Sequence, residues 1–415
     1  MADADQINAY LTATRGSASL TGPPRDTPER TKAANELADY YSELHQGLAI
    51  ILAHSLYMEN PWTTPLTVVY SALGHAETIT LDTVHLVYDQ YLGQIFNSLN
   101  RFYYEERDYH RLRLNGYLHK LCASRALAAG RPGRALEHAN IYAVVQSVLA
   151  KKSASGGAAT ASHSRAVTTS LVEGFVVAHE LMHCVYSTHP EVATAAESFC
   201  VDLVASSDRE SVHEAAVTFM TRRHDAYAVA PARPALPEAL GFDFDVMGPT
   251  FGVASDDVSL REECVCDGFA ILATGLWART QGIGSSEAVK AAFIGLHHLR
   301  LLSHIDSLVT KDDTPQQESP QRGLRLLGET QYRMSFFRSM EWAWRQLGIW
   351  PAVDGEADNL IDVNESYWDV IFDYALDDFD GQSENQREIA RDKLDKHPVP
   401  LKNQRDEVRR LCGLP

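Results

Sequence analysis

The feature that most restricts how this chain can fold is the segment "GFVVAHELMHCVY", residues 174–186, where two histidines and a glutamate interrupt an uncharged, apolar run. Such a run reads as a buried helix, and polar side chains inside one are costly unless the fold supplies partners. His179 and His183 are four apart. On a helix turning about 100° per residue their rings project to one side, about 40° apart. Both can therefore reach a single metal ion, and the adjacent Glu180 can take a proton from water held on that ion.

A catalytic zinc takes three protein ligands and keeps one position open. The better candidate for the third is Glu263, in "SLREECVCDGFAILATGLW", residues 259–277, which reads as a second helix buried all round. Asp267 shares its face and is suited to accept the ring N–H of a ligand histidine. Ser259 and Glu262 form a capping-box pattern, as do Ser170 and Glu173 ahead of the first helix. Ala270 and Thr274 are small enough for two helices to approach. The competing candidate is His189, ten positions after His179. Related histidine sites carry a glycine turn between the two, and here Tyr186 stands at that position, at a steric cost if φ is positive. Pro190 nonetheless argues for a break just before it, and "DVMGP", residues 245–249, could form a methionine turn beneath a His189 site.

His179-Glu180-x-x-His183 followed by Glu263-x-x-x-Asp267 resembles the zinc metallopeptidases of the gluzincin type, with a fainter similarity to phage-exclusion peptidases of bacteria. The resemblance covers about a quarter of the chain, and no strand-rich substrate edge is evident before residue 170. It implies a zincin-like catalytic core, Zn2+ held by His179, His183 and Glu263, Glu180 as the catalytic base, and Asp267 orienting a ligand histidine. The implied activity is hydrolysis of a peptide bond in a specific intracellular protein target. A zinc-dependent amidase or small-molecule hydrolase needs the same site, and a helical interaction protein with a non-catalytic metal is the third reading. Candidate donors to the developing oxyanion are Tyr186, His297, His298, His304 and Tyr332, although "GLHHLRLLSHIDSL" also reads as a helix with ordinary surface histidines.

The remainder of the chain gives the setting. Its 415 residues, 45% hydrophobic, suffice for a large core. A net charge of -18 argues against nucleic acid and anionic membranes as partners. A protein or peptide substrate is what the resemblance implies. No secretion signal or membrane-length apolar stretch is present, and six scattered cysteines do not form a disulfide or Cys-zinc pattern, so a cytoplasmic protein is expected. The expected fold is mainly α with minor β. A flexible N-terminus spans 1–28. A helical recognition or regulatory region spans 29–150, opened by a long helix from Thr27, with a short strand at "TPLTVVYSAL" and mostly helix from 80 on. A zinc-binding catalytic region spans 166–350, with further helices at 285–310 and 328–347, and an acidic then basic region spans 351–415. The aromatic stretch "SFFRSMEWAWRQLGIW" reads as core packing.

Overall fold

The computed structural model describes residues 4–15, 20–21, 26–58, 64–71, 74–104, 110–152, 161–206, 208–224, 258–310, 333–334, 336–348, 367, 371 and 379–414. The fold is mainly α with one small sheet. The helices are α1 (Ala4–Arg15), α2 (Pro28–Ser55), α3 (Gln90–Tyr104), α4 (His110–Ala128), α5 (Pro132–Lys152), α6 (Ala161–Thr188), α7 (Pro190–Ala205), α8 (Arg209–His224), α9 (Val258–Thr280), α10 (Ser285–Thr310), α11 (Asp380–Lys396) and α12 (Leu401–Cys412). Helical residues also occupy 336–346. No described helix is long and apolar enough to cross a membrane.

Helix α2 starts where its sequence provides a start. The Thr27 hydroxyl accepts from the Arg30 amide at 3.2 Å, and Pro28 occupies the first turn, where a missing N–H costs nothing. The segment 66–70 is a strand, as its β-branched content predicts. The mostly helical reading of 80–150 is corrected at its beginning, because residues Val84–Asp89 form a strand and the helix starts only at Gln90. The sheet runs β1 (Leu20–Thr21), β2 (Leu66–Tyr70), β4 (Val84–Asp89), β3 (Ala76–Thr80). β4 pairs parallel with β2 and antiparallel with β3. Ladder bonds on both sides and a buried face override whatever helical tendency the segment has. β3 lies at the sheet edge.

Helix α6 is the central element and packs against α2, α3, α9, α10, β3 and β4. Leu171 to Ala178 are buried without interruption, and each fully buried Leu, Val or Phe there contributes about 1.5–3 kcal/mol. Helices α6 and α9 cross closely: a methyl on Gly174 would stand 3.7 Å from Thr274. The capping box proposed at Ser170 and Glu173 does not form, since α6 begins at Ala161. Glu173 is instead a buried carboxylate, accepting hydrogen bonds from Tyr41 at 2.7 Å and Tyr88 at 3.0 Å. Burial raises its pKa, and the tyrosine hydroxyls work against that rise. The helix-start pattern was indistinguishable in sequence from an interior acid awaiting partners. Helices from both 29–150 and 166–350 contribute to one continuous core, and the aromatic residues Phe336, Phe337 and Trp344 belong to it.

Near the chain's end, α11 docks on α4 and α5 through a buried polar cluster. His119 and His138 face each other, Nδ1 to Nδ1, at 2.8 Å, and His119 Nε2 meets the side-chain amide oxygen Oε1 of Gln386 at 2.6 Å. Arg387 and Arg391 both hold Glu137. Burial pushes the His119 pKa down to about 4, so the folded chain prefers it neutral. A base with a depressed folded pKa stabilises the fold fully above its unfolded value, near 6.5, and that stability is lost as pH falls toward 4. Denaturant titrations at pH 7 and pH 5 are expected to show about 2 kcal/mol less acid loss for His119→Gln than for the parent chain. An equal loss in both proteins would remove His119 as the cause.

Candidate metal centre

The two helices singled out by sequence meet face to face. His183 Nε2 and His179 Nε2 lie 3.1 Å apart. Glu263, on α9, faces the same point: Oε2 is 3.4 Å from His179 Nε2, and Oε1 is 3.4 Å from His183 Nε2. Among the described residues these three form the group whose ligand atoms all lie within 4.8 Å of one another. The opposite ring nitrogens are taken. His179 Nδ1 donates to Asp267 Oδ1 at 2.9 Å, and His183 Nδ1 donates to Glu262 Oε1 at 2.8 Å. With both Nδ1 atoms committed to carboxylates, the two Nε2 atoms converge where Glu263 also points. That is the donor set and tautomer arrangement a divalent ion needs.

Asp267 therefore stands where its sequence position implied. Glu262 does not: its carboxylate is on His183 instead of closing a capping box at Ser259, and α9 already begins at Val258. His189 stands apart. Helix α6 continues through Tyr186 to Thr188, and His189 sits before α7, its Nδ1 2.7 Å from the Thr188 hydroxyl. Without a glycine at 186 the chain has no turn to carry His189 back. "DVMGP" lies outside the described residues. All six cysteines are free and buried, and Cys266 Sγ is 3.7 Å from His183 Nδ1.

Sequence reasoning missed Arg333. Its Nε and Nη2 grip both oxygens of Asp267, at 2.7 and 2.8 Å, and Nη1 reaches Glu263 Oε2 at 2.9 Å. One rigid fork thereby fixes the orientation of both carboxylates. Nothing in the sequence around residue 333 marks it, because its partners are some 66 residues away.

The site opens into a cleft of about 490 Å³ lined by His179, Glu180, His183, β3 residues 76–78 and one face of α10. The side of Thr78 is fastened to Glu180: its hydroxyl donates to the residue-180 carbonyl at 2.8 Å and lies 3.2 Å from Oε2 of the carboxylate. A strand edge beside the histidines is thus present, formed by residues 66–89, where none was evident in the sequence. Of the candidate oxyanion donors, His297 and His298 are fully buried and so are not surface histidines. His298 bonds Tyr367 and Asn100. Tyr186 and His304 do not line the cleft, whereas His75 and Arg333 do; Tyr332 lies outside the described residues.

Comparison with protein families, with curated proteins and with solved structures gave no match.

Burial works against charging the two imidazoles, but the carboxylates facing them prevail, and the pKa of each lies above the ordinary histidine value. An ion seated on the Nε2 atoms would have to displace those protons. Adding zinc at pH 7 to chelator-treated protein is expected to release at least about one proton per ion, read from calorimetry in buffers of different ionisation enthalpy. Binding with no net proton release would exclude the Nε2 atoms as the seat.

Proposed function

We propose that this chain is a zinc-dependent metallopeptidase of the gluzincin type, with His179, His183 and Glu263 holding the ion and Glu180 as the base. The observation that carries this reading is the convergence of the two Nε2 atoms with Glu263 while both Nδ1 atoms are occupied by carboxylates. Among the described residues three ligands face that point, which would leave a coordination position open as a catalytic zinc requires. Zinc held there would lower the pKa of a bound water and polarise a substrate carbonyl.

The chain's own residues supply the remainder. Glu180, half-buried, lines the same cleft and would accept a proton on its carboxylate and return it to the departing amine. Thr78 ties the backbone of residue 180 to β3. Asp267 and Glu262 fix the imidazole tautomers, and Arg333 fixes Asp267 and Glu263 together. Among the described residues no strand pairs with the outer side of β3, so its backbone N–H and C=O groups can take an extended peptide as an added strand. This favours a peptide over a small amide. The free, buried thiols fit a reducing compartment, and hence a cytoplasmic enzyme with an intracellular protein target.

The test combines metal content with digestion of a peptide library. The parent chain is expected to hold about one zinc per molecule. Glu180→Gln should retain it and lose cleavage by about a hundredfold or more, the scale of a removed general base. Glu263→Ala should lose most of the zinc, and His189→Ala should keep it. Zinc retained in Glu263→Ala would sink the assignment of the third ligand. Unchanged cleavage by Glu180→Gln would sink the mechanism.

A further inference from the structure

At the other end of the cleft lies a charged group that the proposed chemistry does not use. Arg125, on α4, lines the cleft, and its side chain is only 6% exposed. A guanidinium carries five N–H donors and is held inside a fold only where acceptors meet them. Arg125 Nη2 donates to the Gly74 carbonyl at 3.1 Å. Its Nε has no hydrogen-bond acceptor, and Asp306 Oδ1 stands 3.6 Å from it, too far to be one. Asp306 is on α10, with a side chain 47% exposed, on the same helix face as Leu299, Leu302 and Ser303, which also line the cleft. A buried cation whose Nε lacks a hydrogen-bond acceptor thus faces a ligand channel, with the Asp306 carboxylate beside it.

We propose that Arg125 anchors a carboxylate of the bound peptide, in the seat that Asp306 approaches without filling. The proposal rests on reading the cleft as a peptide-hydrolysing site and adds its substrate class. The spacing suits it. Gly74, in the turn before β3, precedes Thr78, the residue fastened to Glu180, by four positions, at most about 13 Å of chain. A peptide laid antiparallel to β3 runs from Thr80 toward Ala76, so its C-terminal side arrives at Arg125. The anchored carboxylate then belongs either to the peptide's own C-terminus or to an acidic side chain about three or four residues beyond the scissile bond. General attraction cannot produce this preference, because the chain's net charge of -18 repels acidic ligands.

The probes are fluorescein-labelled Ala/Leu hexapeptides in three forms: free C-terminal carboxylate, C-terminal amide, and amide with one glutamate near the C-terminus. Anisotropy titrations use zinc-loaded Glu180→Gln, so that binding is read without cleavage. One of the carboxylate-bearing forms is expected to bind at least about tenfold tighter than the neutral amide, as a charge-assisted pair gives, and which one identifies the source. Arg125→Met should erase the difference. Because Arg125 also holds the loop at Gly74, the second variant is Asp306→Ala, which leaves Arg125 intact and should widen the preference several-fold. Equal binding of charged and neutral forms, no binding of any form, or a preference unmoved by Asp306→Ala would overturn the proposal. The hydrolase reading is judged separately: peptides cleaved with no regard to carboxylates would leave it standing while this inference falls.

Discussion

Everything in the architecture around the cleft depends on how charge is balanced between two helices that are otherwise apolar. α6 brings two imidazoles into the core, and α9 brings Glu262, Glu263 and Asp267 against them. Neither set is tolerable alone, since an unpaired buried charge costs several kcal/mol. Arg333 completes the balance from a third segment. Three carboxylates against one guanidinium leave a deficit of positive charge that protons on the imidazoles, or a divalent ion in their place, make good. Gly174 and Thr274 meet where the two helices pack.

The polar interior extends beyond the cleft, and several buried polar groups there join elements distant in sequence. Glu173 joins α6 to α2 and β4 through tyrosine hydroxyls. Gly93 is needed beneath it, because a side chain there would meet the Glu173 carboxylate at 2.1 Å. His298 joins α10 to α3 through Asn100. Asp89 organises the turn before β3, accepting from the amides of Ser71, Gly74 and Tyr91. Gly74, at φ 55, supplies the left-handed step that the turn requires. The turn that leads into β3 is thus held by Asp89 of the neighbouring strand β4, and Thr78 ties the middle of β3 to α6.

What the sequence made legible follows from range. His179, His183, Glu263 and Asp267 could be read because helical periodicity fixes which residues share a face, and a face is a local property. The long helices were legible for the same reason, as was the strand at 66–70. Val84–Asp89 was not, because its pairing with both β2 and β3 is a tertiary fact. Glu173 and Glu262 were misread as caps since an acid three residues after a serine is the same pattern whether it turns back to the backbone or out to a partner. Arg333 and Arg125 carried no local signal at all. His297 and His298 looked like surface residues because a paired histidine is invisible until its partner is known.

The hydroxyl of Thr78 touches both the backbone and the carboxylate of residue 180. Wall and proton acceptor thus hang from a single rivet. Whatever lies along that wall pulls on the rivet, so the fit of a guest in the groove and the aim of the carboxylate behind it are one mechanical adjustment.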